Sequence, residues 1–128
     1  MNINQILEQI EKDIQSIEYK KEPKNLYEPI AYTLEKGGKR MRPFLISMVY
    51  LLFKNDLAKV MPLCRTIEVF HNFTLLHDDI MDKAPLRRGN PTVFKKWNEN
   101  VAILSGDVML VQSYQYLQQL ETNQLSKL

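Results

Sequence analysis

The sequence predicts an all-α domain, and three observations predict it. Apolar residues recur at helical spacing in one segment after another, few stretches alternate as strands do, and only 4 glycines occur in 128 residues. No internal repeat is evident, and a second complete domain would not fit, so residues 1–128 read as a single domain with a modest core.

In chain order, Ile3, Ile6, Leu7, Ile10, Ile14 and Ile17 follow the helical period while Glu8, Glu11, Lys12, Asp13 and Glu18 take the other faces, which predicts an amphipathic first helix. The stretch KKEPKN breaks it. LYEPIAYTLEK then reads as a short helix closed by Gly37 and Gly38, since glycine adopts a left-handed helix end most cheaply. Pro43 suits the first turn of a third helix, where a missing N–H costs nothing. That segment, PFLISMVYLLFK, is apolar on nearly every face and is expected to be central and buried. Pro62 opens a fourth helix in the same way, and PLCRTIEVFHNFTLLHDDIMDK runs about six turns before Pro85. LRRGNPT reads as loop by its Gly-Asn-Pro punctuation. TVFKKWNEN predicts a short helix, and VAILSGDVMLVQSYQYLQQLETNQL a long last one.

The formal net charge of +2 is too small to argue for nucleic acid. Positive charge nonetheless gathers in two clusters, one of Lys36, Lys39, Arg40 and Arg42, the other of Lys83, Arg87, Arg88, Lys95 and Lys96. Compact clusters suit a small anion, whereas a long polyanion favours a continuous basic stripe; solvated surface charge is the plain alternative. The single cysteine, Cys64, lies in an apolar run without an internal disulfide partner, which points to a small core residue and a reducing compartment. The N-terminus lacks the apolar region of a signal peptide, and no run is long enough to span a bilayer. A soluble, cytoplasmic protein without stable membrane insertion is expected.

The chemistry concentrates at LLHDDIMDKAPLRRGN, residues 75–90, where carboxylates crowd the end of an otherwise apolar helix. Carboxylates there oppose the helix dipole and are costly to desolvate unless cations answer them. Counted round the axis from His71, Asp78 lies about 20° to one side and Asp82 about 20° to the other. The three share one stripe, with Glu68 somewhat further round. Asp78 and Asp82 can therefore bring two oxygen ligands to one Mg²⁺, which prefers hard donors and keeps sites for water and phosphate. Asp79, about 100° away, would support them rather than bind the metal. The alternative is an acidic helix end paired with Lys83, Arg87 or Arg88. Lys39 and Arg42 stand where a helix dipole is already positive, a conflict that an anion such as phosphate would resolve, with the paired glycines letting it approach the main chain. His77 points away from the stripe. Tyr114, Tyr116 and Trp97 read as packing or interface residues.

Four ordered stretches, GGKRMRP, HNFTLLHDDIMD, LRRGNPTVF and AILSGDVML, span residues 37–110 and resemble the trans-isoprenyl diphosphate synthases, the head-to-tail prenyltransferases. A DDxxD motif alone would be weak, since terpene cyclases carry it too; the ordered set is specific. The resemblance implies the N-terminal part of an isoprenoid-synthase-type helical bundle. It implies that Asp78 and Asp82 bind the Mg²⁺ that holds an allylic diphosphate, with Asp79 supporting, and that Arg87 contacts that diphosphate. Lys39, Arg42, His71 and Arg88 match the set for isopentenyl diphosphate. Phe73, five residues before Asp78, and Thr74, four before, are implied to floor the product cavity, which goes with short farnesyl or geranylgeranyl products. A homodimer is implied as well.

The chain also departs from that pattern. Members are more than twice this length and carry a second aspartate-rich motif, and none occurs between Leu110 and Leu128. An incomplete, inactive N-terminal fragment is therefore expected, with apolar surfaces open to self-association. A complete but non-catalytic diphosphate-binding module or partner subunit is the alternative. A terpene cyclase is disfavoured by Lys39, Arg42, His71 and Arg88. Phe94 and Asn98 stand where many relatives place histidine and glycine, and neither is expected to touch metal.

Overall fold

The computed structural model describes residues 1–19 and 22–120. Its elements are α1 (Ile3–Gln15), α2 (Lys24–Glu35), α3 (Met41–Leu51), a 3₁₀ turn (Leu57–Val60), α4 (Met61–Met81), strands β1 (Leu86–Arg87) and β2 (Asn90–Pro91), α5 (Val93–Lys96) and α6 (Glu99–Leu117). The all-α expectation holds. Residues 121–125 of the expected last helix lie outside the described residues.

Helix α4 is the axis of the fold. It packs along α6, with α2, α3 and α1 against its other sides. Helix α1 starts at a reciprocal cap, in which the Gln5 backbone N–H donates to Asn2 Oδ1 at 2.9 Å and the Asn2 N–H donates to Gln5 Oε1 at 3.0 Å. It buries Ile6, Ile10 and Ile14, one position per turn, in a core shared with Ile30, Leu34, Val69, Leu76 and Met109. Asn98 caps α6 by accepting from the Val101 N–H at 2.8 Å, a role that glycine's missing side chain could not fill.

Three expectations are corrected. Helix α3 is not central: it buries Pro43 and Ser47, while Leu45 and Val49, and Leu52 and Phe53 just past its end, are more than half exposed. Its small residues face α4, where Ser47 Oγ lies 3.5 Å from Cys64 Sγ; Phe44, Ile46, Tyr50 and Leu51 pack half-buried against the core, and Leu45 and Val49 point outward. Gly37 and Gly38 do not take left-handed conformations; the left-handed residue before α3 is Arg40, at φ 55°. LRRGNPT is more ordered than a loop, pairing Leu86 with Pro91 and Arg87 with Asn90 around Arg88 and Gly89, whose φ values of 52° and 79° suit a tight two-residue hairpin turn. Cys64 is a buried free thiol, as expected, and burial pushes its pKa up to about 11.

Candidate active site

The last turn of α4 carries Asp78, Asp79 and Asp82 without a basic residue of its own. They split into two environments. Asp79 is buried and receives a forked contact from Arg87, with Nε donating at 2.9 and 3.1 Å and Nη2 at 2.7 Å. Such two-pronged geometry fixes a guanidinium's plane as well as its position. This contact, first, and then the charges of Asp79, Asp78 and Asp82 hold the Arg87 pKa above its ordinary value. Asp78 and Asp82 are exposed one turn apart and form no ion pair among the described residues. Asp82 ends the helix, its N–H donating to the Asp78 carbonyl at 2.8 Å.

Two hard oxygen donors at this spacing fit a divalent cation that keeps part of its own hydration. Two carboxylates leave most of such a cation's coordination positions to other ligands. Among the described residues no cluster of three His, Cys, Asp or Glu side chains could hold a metal.

The second feature is an open cavity of about 490 Å³ between the start of α3, the middle of α4 and the hairpin turn. Lys39, Arg42, His71 and Arg88 all line it, so residues from three separate stretches of the sequence meet at one place. Arg42 Nη1 donates to His71 Nε2 at 3.1 Å, which requires that nitrogen to be unprotonated. Burial first, then Arg42 and the other arginines, hold the His71 pKa below 6.5. Arg88 is pushed below its usual value by burial, then by Arg87 and Arg40. Neither Lys39, Arg42 nor Arg88 has a carboxylate partner among the described residues. A cavity rimmed by cations without ion-pair partners, at a helix start without a side-chain cap, has the chemistry to take an anion.

Arg87 and Arg88 serve different neighbourhoods although adjacent. Arg87 lies in strand β1, turned to Asp79, while the left-handed Arg88 swings its guanidinium over Gly38. A Cβ at Gly38 would stand 2.8 Å from Arg88 Nη2, and one at Gly37 would run into the Arg40 guanidinium. The paired glycines therefore admit two arginine side chains.

Sequence reasoning grouped Arg40 with the other cations and noted Glu68 near the stripe, yet assigned neither a role. The structure pairs them in the wall of the cavity. A carboxylate at a buried position of an apolar helix was the available signal, because it requires a cation. His77 does point away from the stripe, its Nε2 3.1 Å from the Ile103 carbonyl on α6. Phe73 packs between Phe70 and His77, at centroid distances of 5.5 and 4.9 Å, and Thr74 Oγ1 donates to the His71 carbonyl at 2.6 Å. Trp97 packs edge-on to Tyr32.

The chain is similar to known proteins over most of its length. The Short chain isoprenyl diphosphate synthase of Methanocaldococcus jannaschii is 37% identical over 118 residues, covering 92% of this chain and 36% of its own length. The Geranylgeranyl diphosphate synthase of Methanosarcina mazei is 40% identical over 99 residues, covering 77% of this chain and 31% of its own. A crystal structure of a geranylgeranyl pyrophosphate synthase superposes with a TM-score of 0.86 at 39% identity, over 99% of this chain and 39% of that one. The chain thus spans about a third of the length of these curated relatives. No helix among the described residues is long and apolar enough to cross a membrane. The family model for polyprenyl synthetase matches residues 23–128, and the chain belongs to that family.

Proposed function

We propose that this chain supplies the first half of the active site of a head-to-tail trans-prenyltransferase, one that joins isopentenyl diphosphate to an allylic diphosphate to make a short prenyl diphosphate. The observation that carries the reading is the meeting of Lys39, Arg42, His71 and Arg88 around one cavity, on the helix whose end carries the exposed pair Asp78 and Asp82. In this reading Lys39, Arg42 and Arg88 take the diphosphate of isopentenyl diphosphate, and His71 orients Arg42. Asp78 and Asp82 would hold Mg²⁺, which when bound supplies positive charge to the allylic diphosphate. Arg87, held by Asp79, keeps N–H groups free for that same diphosphate.

Arg87 would oppose the negative charge that grows on the departing diphosphate as the allylic C–O bond breaks, while Lys39, Arg42 and Arg88 hold the isopentenyl partner in place. The isopentenyl double bond then forms the new C–C bond, and loss of a proton restores a double bond. Apolar walls must exclude water from the cation, and Phe73 with Thr74 are proposed to floor that space, favouring farnesyl- or geranylgeranyl-length products. Residues outside this chain would complete the metal set, so the chain alone is proposed to bind without turning over. The second reading is a non-catalytic diphosphate-binding partner, which the same cavity of Lys39, Arg42, His71 and Arg88 supports. Exposed Ile103, Leu104, Val111 and Tyr114 on α6 support a homo-oligomer. A cytoplasmic location is proposed, with neither nucleic acid nor membrane as partner.

Calorimetric titration of an unreactive allylic diphosphate analogue tests this reading. Binding should require Mg²⁺ and be lost in Asp78→Ala and Asp82→Ala. Binding that is indifferent to the metal and to both substitutions would overturn the metal assignment.

A further inference from the structure

Glu68 poses a problem for the anion cavity. Its side chain is 4% exposed and lines the same space as Lys39, Arg42, His71 and Arg88. A bare carboxylate in that wall would repel a diphosphate and would itself be costly to bury. Arg40 meets it, with Nη1 donating to Glu68 Oε2 at 3.2 Å.

Arg40 is committed in three directions at once. Its Nε donates to Glu11 Oε2 at 2.9 Å, Nη2 donates to Glu11 Oε1 at 3.3 Å, and Nη2 also donates to the Leu34 carbonyl. One guanidinium therefore ties α1, the end of α2 and α4 together, and four of its five N–H groups are used inside the protein. The backbone bends to allow this. Arg40 sits at φ 55° and ψ 37°, a conformation costing a non-glycine residue roughly 1 kcal/mol. Gly37 supplies the room that any Cβ would take from the guanidinium. With Arg40 turned inward, its neighbours Lys39 and Arg42 stay exposed on the cavity rim.

We propose that Arg40 is a positioning residue for diphosphate recognition, cancelling the Glu68 charge in the cavity wall and pinning segment 37–42 so that Lys39 and Arg42 face the anion. It does not touch the anion itself. Glu68, held by Arg40, limits the positive potential of the cavity. The proposal rests on reading the cavity as a diphosphate site.

The test is titration of inorganic pyrophosphate into the 128-residue chain, its variants checked for native helix content by circular dichroism. Glu68→Gln keeps the shape and an acceptor for Arg40 but removes the wall charge, and it should bind at least about threefold more tightly. Arg40→Met should bind at least about tenfold more weakly, and adding Glu68→Gln to it should recover part of that loss. Unchanged affinity in Glu68→Gln would mean that the wall charge does not reach the anion, and that result overturns the inference even if Arg40→Met does not fold. Wild-type affinity in a folded Arg40→Met overturns it as well. No binding by the wild-type chain would overturn the diphosphate reading and the inference with it, whereas binding without a Glu68 effect sinks the inference alone.

Discussion

Gly106 lies within α6, where replacing glycine by alanine ordinarily stabilises a helix by about 1 kcal/mol. Here the sign should reverse. A Cβ at Gly106 would collide with His77 Nε2 and lie 2.5 Å from Cδ2 and 3.2 Å from Cε1. The ring cannot simply step aside, because Nε2 is 3.1 Å from the Ile103 carbonyl and the ring packs edge-on to Phe73 at 4.9 Å. Moving it gives up a hydrogen bond of about 1 kcal/mol and an aromatic contact of about 0.5–1.5 kcal/mol. Set against the helix gain, the net loss is about 0.5–1.5 kcal/mol, or a melting temperature lower by roughly 2–6 °C for a domain of this size. Thermal unfolding of Gly106→Ala should show that fall, and in a His77→Ala background the same substitution should raise the melting temperature, since only the helix gain remains. A rise in the wild-type background would refute the reasoning, and so would an equal fall in both backgrounds.

Two further outcomes follow from the structure. The His71 pKa lies below 6.5 because burial, then Arg42, disfavours the imidazolium, so the unfolded chain binds more protons than the folded one between that lowered value and 6.5. The stabilisation is complete above 6.5 and is lost as pH falls through the folded pKa; His71→Gln should therefore flatten the decline in melting temperature between about pH 7 and 5, and parallel profiles would contradict it. Leu52→Ser and Phe53→Ser, at residues 76% and 79% exposed, should change urea stability by no more than about 0.5 kcal/mol, whereas Ile10→Ala at 0% exposure should cost about 2–5 kcal/mol. Comparable losses at all three would return α3 to the centre of the core.

Why Phe53 needed the structure is instructive. A helix apolar all round has no face that sequence alone can single out, so periodicity could not say which side of α3 meets α4. Packing decided it: Pro43 and Ser47 approach Cys64 closely, Phe44, Ile46, Tyr50 and Leu51 pack beside them, and Leu45 and Val49 are left outside, as is Phe53 beyond the helix end. Helix α1 was legible throughout, because its buried isoleucines stand against charged residues on the other faces. The hairpin was half legible: Gly-Asn-Pro marked a turn, but the pairing of Arg87 with Asn90 depends on Arg88 accepting a left-handed backbone.

By itself the sequence determined the helical class, the stripe of His71, Asp78 and Asp82, and, through four ordered motifs, the family. Those are properties of spacing along one chain, and a helix converts spacing directly into direction. The partners of the charges were decided only by tertiary structure. Nothing in the pair Arg87–Arg88 distinguishes a residue that grips Asp79 from one that leans over Gly38. Nor does GGKRMR reveal that Arg40 turns inward to Glu68 and Glu11 while Lys39 and Arg42 stay outside. Those contacts join residues 28 and 29 positions apart, and only the packing of α1 and α4 against the start of α3 brings them within hydrogen-bond reach.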